Sequence, residues 1–134
     1  MKDGYCHKNH SKYLIKFHFV FTVKYRKKLL KGNLNENMLQ IIYDIANEKG
    51  FVIDTMQSDE NHLHILVDSP PTLSAFDIVH CIKQKSTNRI YKQYRDELKK
   101  HFWKENTFWS DGYFCCSTGD ASTETIRRYI DEQG

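Results

Sequence analysis

Several kinds of protein are excluded by what this chain lacks. Two prolines and six glycines among 134 residues are too few for a collagen-like, linker-rich or low-complexity chain. Long apolar runs are missing too: Lys24, Lys31, Glu48, Asp68, Lys83 and Arg95 interrupt the hydrophobic stretches, so none reaches the roughly 20 residues a membrane-spanning helix needs. Residues 1–12 are polar and carry no apolar block of the kind that directs secretion; they read as a flexible lead-in to a cytoplasmic protein. Cys6, Cys81, Cys115 and Cys116 then stand as free thiols, and no two of them have Cys-x-x-Cys spacing. A chain of this length buries about two thirds of its unfolded surface without disulfides or a structural metal. It is read as one domain spanning residues 1–134, with no repeats.

What is present is a modest positive charge, +3 with the seven histidines neutral, and 13% aromatic residues. The cations are grouped. Lys24, Arg26, Lys27, Lys28 and Lys31 form one cluster, Lys83, Lys85, Arg89, Lys92 and Arg95 a second, and Lys99, Lys100 and Lys104 a third. Tyr25, Tyr91, Tyr94, His101, Phe102 and Trp103 lie beside them. Cations for phosphates next to rings for unpaired bases is the composition a single-strand binder needs, although any one cluster can equally be a solvated face.

Periodicity divides the chain into elements. Residues 13–25 are aromatic and β-branched with a repeat near two, which places Ile15, Phe17, Phe19, Phe21 and Val23 on one face of a strand. Asn33 with Glu36 three residues on makes a helix start, and Met38, Ile41, Ile42, Ile45 and Ala46 carry the helix to a stop at Gly50. Residues 51–58 and 62–67 read as strands joined through Asp59-Glu60-Asn61. After Pro70-Pro71, Ser74 and Asp77 cap a long helix whose inner stripe is Phe76, Val79, Ile82, Ser86, Ile90 and Tyr94. Residues 96–110 read as a loop with a short helix at most, 112–118 as a fourth strand, Gly119-Asp120 as a turn and 121–133 as a last helix. The order βαββαβ plus a helix predicts an α+β, ferredoxin-like fold: a four-stranded antiparallel sheet with helices on one face and an added C-terminal helix.

His62-Leu63-His64 is the most informative triplet. On a strand, alternate side chains share a face, so the two imidazoles stand about 6.6 Å apart along the backbone, while Leu63, Ile65 and Val67 point into the core. The pair could reach one metal ion or could be plain surface. On the last helix Tyr129 and Gln133 are one turn apart on one side, with Ile126 and Ile130 flanking them and Arg127 and Arg128 turned away. Tyr129 is then either a half-buried packing residue or a group carried to the histidines. Two imidazoles and an amide oxygen make a weak, mixed site suited to Mg²⁺ or Mn²⁺. There a phenol could attack a polarised phosphodiester, provided something favours the phenolate. His18, Asp59 and Asn61 are candidates for supporting the histidines from behind.

Four segments carry a resemblance across residues 13–133: Tyr25-Arg26-Lys27-Lys28, Asp59-Glu60-Asn61-His62-Leu63-His64-Ile65-Leu66-Val67, Trp109-Ser110-Asp111-Gly112-Tyr113-Phe114 and Ile126-Arg127-Arg128-Tyr129-Ile130-Asp131-Glu132-Gln133. In this order the chain resembles the single-domain transposases of the IS200/IS605 group, in the HUH single-strand nuclease superfamily. The resemblance implies that His62, His64 and Gln133 hold the divalent metal and that Tyr129 is the nucleophile. It implies cleavage of single-stranded DNA at hairpin-bearing element ends to a 5′-phosphotyrosine and a free 3′-hydroxyl, followed by rejoining, with no nucleotide cofactor. It implies a homodimer, in which the helix 121–133 can serve the partner's site about a hinge at Gly119 and the first strand forms the dimer edge. Asn61 stands where the family commonly has an aspartate.

Lys85, Arg89 and Lys92, then Arg26, Lys27 and Lys28, are the expected phosphate contacts, and Tyr91, Phe102 and Trp103 the expected stacking rings. The alternatives are a non-catalytic nucleic-acid-binding module of the same fold and a metal-carrying or structural dimer. A covalent Tyr129–DNA adduct separates catalysis from both.

Overall fold

Alternating large apolar residues build a central strand, β3 (Lys16–Thr22), and the rest of the fold is arranged on it. The structure, a computed structural model, describes residues 6–8, 11–13, 15–117 and 123–132. Before β3, β1 (Cys6–Lys8) and β2 (Ser11–Tyr13) pair antiparallel with one another, so the segment expected to be flexible contains a short ribbon. It is a ladder of its own, outside the main sheet. After β3 come α1 (Gly32–Lys49), β4 (Val52–Asp59), β5 (His62–Asp68), α2 (Ala75–Lys99), β6 (Phe114–Ser117) and α3 (Thr123–Glu132). The main sheet runs β4-β5-β3-β6, antiparallel throughout, which is the expected ferredoxin-like arrangement.

This order corrects one expectation. The first long strand is not a dimer edge: β3 is hydrogen-bonded on both sides, to β5 and to β6. Its unbroken aromatic row is that of an interior strand, and the outer positions of the main sheet fall to β4 and β6.

Register assigns the two faces. Phe19 opposes Ile65 and Phe21 opposes Leu63, and these four are fully buried with Met38, Ile42 and Ile45 of α1 and Ile78, Ile82 and Ile90 of α2. Burial of this kind contributes roughly 1.5–3 kcal/mol per large aliphatic side chain. The opposite face carries His18, Val20 and Thr22 of β3 beside Leu66, His64 and His62 of β5. Phe114 and Cys116 of β6 continue that face across the sheet.

Local details depart from the expected ones for identifiable reasons. Helix α1 begins at Gly32, with Lys31 at the cap position and no side-chain cap, so Asn33 lies inside the helix. Leu29 and Leu30 are buried, the Leu30 amide donates to the Glu60 carbonyl at 2.9 Å, and the chain turns at Gly32 with φ +60°, so the cap falls two residues before Asn33. In α2 the expected capping box is present: the Ser74 hydroxyl accepts from the Asp77 amide at 3.0 Å, and the Asp77 carboxylate accepts from the Ser74 amide at 3.1 Å. The inner stripe holds except at Phe76, which is 63% exposed. The helix also continues to Lys99, past a single non-helical residue at Tyr94, where the Asn37 amide of α1 donates to the tyrosine hydroxyl. That anchor and buried Leu98 carry the helix into the stretch whose sequence reads as a loop.

Candidate active site

The hairpin of β4 and β5 sets the first two groups. A turn at Glu60-Asn61 returns the chain so that His62 opposes Asp59, and His64 opposes Gln57. The imidazoles of His62 and His64 have centroids 5.0 Å apart. A third ring, His18 on the neighbouring strand, lies 5.7 Å from His64, so three histidines run in a row across one face. The Asn61 side-chain oxygen accepts from Nδ1 of His62 at 2.8 Å, an arrangement that orients the ring and leaves Nε2 with the lone pair.

Burial pushes all three imidazoles toward their neutral form. His64 is lowered to about 4, first by desolvation and then by His62 and His18 beside it, with Asp59 opposing. His62 is lowered by desolvation against the same aspartate, and His18 by desolvation. Neutral imidazole is the form that ligates a metal. His62 and His64, one oriented by Asn61 and both with a neutral ring near neutral pH, therefore suit a divalent cation. Among the described residues no third histidine, cysteine, aspartate or glutamate completes a metal shell. Gln133 lies outside the described residues, as does Gly119.

Tyr129 is carried to this same face by α3. Its ring packs against Phe114 at 5.8 Å, and Phe114 opposes Val20, which in turn opposes His64. The phenolic oxygen is buried and has no hydrogen-bond partner among the described residues. Desolvation, with a smaller contribution from Tyr113, raises its pKa well above the ordinary phenol range, so the group is a neutral phenol as it stands. A buried donor left unpaired costs about 1–3 kcal/mol.

The expected phosphate contacts divide into groups. Lys28, Lys85 and Lys92 are exposed and Lys27 is half-buried. Arg89 is engaged from another direction: its guanidinium donates to both carboxylate oxygens of Glu48 at 3.0 and 2.6 Å and ties α2 to α1. Arg26 is exposed and donates to the Asp131 carbonyl at 3.4 Å, near the C-terminal end of the tyrosine-bearing helix. Among the stacking candidates two are corrected. Tyr91 and Phe102 are buried in the core, and the Tyr91 hydroxyl donates to the Thr107 carbonyl at 2.6 Å; only Trp103 is open, at 72% exposure.

Sequence reasoning missed the groups that fix the segment leading into β6. Lys83, read as one cation of a cluster, turns inward and donates to the carbonyls of Ser110, Asp111 and Gly112 at 2.7, 3.2 and 2.7 Å. Its ammonium lies 5.6 Å from the ring centres of Phe21 and Tyr113, and burial lowers its pKa to about 8. Trp109 Nε1 donates to Ser86 at 2.9 Å, and Thr22 donates to Ser110 at 2.9 Å. The usable signal was that Lys83 sits between Val79 and Ser86 on the buried stripe of α2. On that helix's side a cleft of about 420 Å³ opens against residues 106–113, with Phe76 stacked on His80 at its rim.

The family of IS200-like transposases matches residues 11–133 of the chain. The ISDra2 transposase TnpA of Deinococcus radiodurans is 29% identical over 121 residues, covering 90% of this chain and 85% of that protein. The transposase for insertion sequence element IS200 of Salmonella typhimurium is 28% identical over 124 residues, 92% of this chain and 80% of that one. In fold, the chain is similar to a solved structure from Deinococcus radiodurans assigned as a transposase, with a TM-score of 0.86 at 22% identity over 96% of this chain and 97% of that one. A REP-associated tyrosine transposase bound to a REP hairpin follows at TM-score 0.54 and 16% identity, over 96% and 70%. With a match over nearly its whole length, a sheet of the same architecture, and paired histidines and a tyrosine on one face, the chain belongs to the family of IS200-like transposases.

Proposed function

We propose that this transposase is a metal-dependent single-strand nuclease and strand transferase in which Tyr129 attacks a phosphodiester at a hairpin-bearing DNA end. The tyrosine oxygen bonds to phosphorus, the bond to the 3′-oxygen breaks, and that oxygen leaves as a 3′-hydroxyl while the 5′-phosphate stays on the protein. The phenol proton is lost in the same exchange, and the leaving oxygen gains one. The ester energy is kept in the covalent link, so rejoining to another 3′-hydroxyl is the reverse of the same transesterification and requires no nucleotide cofactor.

One observation carries this reading: a buried phenol with no partner among the described residues lies on the sheet face that presents the neutral imidazoles of His62 and His64. An orphaned donor in such a place is half of an interaction that a ligand completes. His62 and His64 would hold a divalent cation, Mg²⁺ or Mn²⁺, with Gln133 as third ligand. When bound, the cation polarises the phosphoryl oxygens and favours ionisation of the phenol. Asn61 fixes the orientation of His62, and the Asp59 carboxylate contributes negative charge beside the pair. Arg26, Lys27 and Lys28 are proposed to meet the phosphates of the single strand, and exposed Lys85 and Lys92, on the helix layer beneath the sheet, those of the hairpin stem. The working unit is proposed to be a homodimer.

The test is incubation of the protein with labelled single-stranded hairpin DNA and Mg²⁺ or Mn²⁺, read on a denaturing protein gel. A nuclease-sensitive shifted band is expected that requires the metal and vanishes in Tyr129→Phe. DNA binding without any such band identifies a non-catalytic binding module instead. Cleavage that survives in Tyr129→Phe excludes the tyrosine mechanism.

A further inference from the structure

A second feature lies apart from the histidines and the tyrosine and plays no part in the reaction just described. Among the described residues five large apolar side chains are exposed, and two of them, Tyr25 and Trp103, line one cleft of about 480 Å³. Tyr25 is 64% exposed and reaches there through an uncommon backbone: it and Arg26 both adopt left-handed conformations, with φ of +59° and +51°. Each such non-glycine residue is unfavourable, and strain of this kind concentrates at ligand sites. The turn is held in that shape by the Val23 amide on the Asn61 carbonyl at 2.9 Å, the Lys24 amide on the Phe108 carbonyl at 2.8 Å and the Arg26 amide on the Val23 carbonyl at 2.8 Å. Since Asn61 precedes His62 directly, the cleft opens at the histidine end of the sheet.

The walls have consistent chemistry. Phe102 forms an apolar floor, 6.4 Å from the Tyr25 ring, and Trp103 stands open at the side. Cations sit on both rings: Lys24 lies 5.7 Å from the centre of Tyr25, and Lys104 lies 5.2 Å from the centre of Trp103. The lining itself holds one cation, Lys104, and one carboxylate, Glu105; Lys24 also donates to the Asp111 carboxylate at 3.5 Å, and Arg26, Lys27 and Lys28 follow Tyr25 directly in the chain. Flat aromatic walls with a cationic margin match an unpaired nucleobase flanked by phosphates. A protein partner's apolar side chain would not need a cation on each of the two rings.

We infer that the Tyr25–Trp103 cleft is a stacking subsite that takes one unpaired base of the DNA strand next to the phosphodiester presented to His62 and His64. The inference rests on the proposed single-strand activity and adds a base-binding position that the reaction itself does not require. Tyr25 and Trp103 grip the base by its faces, which every base offers, so the subsite contributes affinity and registers the strand with little preference for sequence.

The experiment measures equilibrium binding of a labelled oligothymidylate and of a blunt, fully paired duplex to the full chain in metal-free buffer, where no cleavage intervenes. Trp103→Ala and Tyr25→Gly are compared with wild type and with Trp103→Phe; glycine suits the left-handed backbone at position 25, so that variant keeps the turn. Loss of a stacked ring is expected to weaken single-strand binding about 5- to 150-fold, to leave duplex binding unchanged, and to be largely restored in Trp103→Phe. Trp103 emission is expected to be quenched by the oligothymidylate, while buried Trp109 contributes little change. Equal affinity of the variants and wild type for the single strand overturns the subsite and leaves the transposase reading standing, as does an equal loss for single strand and duplex. Failure of the wild type to bind single strands overturns both.

Discussion

Burial holds the imidazoles and the phenol of this sheet face in their uncharged forms, and that has a cost in acid. His18, His62 and His64 all titrate below the ordinary imidazole value of 6.5, with His64 lowered to about 4. A folded-state pKa below the unfolded one means that the unfolded chain binds more protons in the interval between them, so stability rises with pH across it. The contribution is complete above pH 6.5 and is lost as pH falls toward 4. Replacing His64 with Gln removes the group with the widest interval. In urea unfolding with chelator present, wild type is expected to lose more stability than His64→Gln between pH 7 and pH 4.5. Parallel pH profiles for the two proteins would show that burial does not hold this imidazole neutral. At this scale the sequence was readable where a residue's role follows from alternation: His62 and His64 share a face because strand side chains alternate. It was unreadable where the role depends on a distant partner. Glu48 claims Arg89 from another helix, and no spacing within α2 announces it.

Among the elements, the segment between α2 and β6 determines how the tyrosine helix is seated. Residues 109–112 have little regular structure, yet the carbonyls of Ser110, Asp111 and Gly112 converge on one ammonium, that of Lys83, and Trp109 is fastened to Ser86. This segment delivers Tyr113 and Phe114, and Phe114 is the surface on which Tyr129 packs. Lys83→Met keeps the aliphatic stem but leaves three carbonyls without their donor. It is expected to lower global stability by about 1–3 kcal/mol. Amide exchange in β6 is expected to accelerate more than in β5, with a loss of DNA cleavage that exceeds the loss of DNA binding. Unchanged exchange in β6 would show that the ammonium is not what holds the segment. The elements themselves were legible from periodicity, including the capping box of α2 and the glycine stop of α1. Their boundaries were less so, because burial of Leu29 and Leu30 and the anchor at Tyr94 are tertiary effects that override the local signal at Asn33 and in residues 96–99.

Over the whole molecule, the sheet is covered unequally, and this bears on whether, in the proposed homodimer, a tyrosine would serve its own chain or its partner. Helices α1 and α2 cover one face, while α3, ten residues long, lies on the other against β3 and β6. Val20 and Thr22 on that second face are fully buried, so the central strand is enclosed on both sides. The α3 helix sits over its own chain's histidine face, with Tyr129 against its own Phe114 and Arg26 reaching its own Asp131. In this arrangement the phenol shares a sheet face with the imidazoles of its own chain. The consequence can be read by mixing two inactive proteins, Tyr129→Phe and His64→Ala, under conditions that allow subunits to exchange. If each tyrosine serves its own chain, every subunit in the mixture lacks either the phenol or a complete metal pair, and no covalent DNA adduct is expected on the denaturing gel. An adduct on the His64→Ala protein would show instead that α3 leaves the position seen here and works on the histidines of the partner. The Arg26 contact would then be one that breaks during the catalytic cycle, and Arg26→Ala should make that exchange faster.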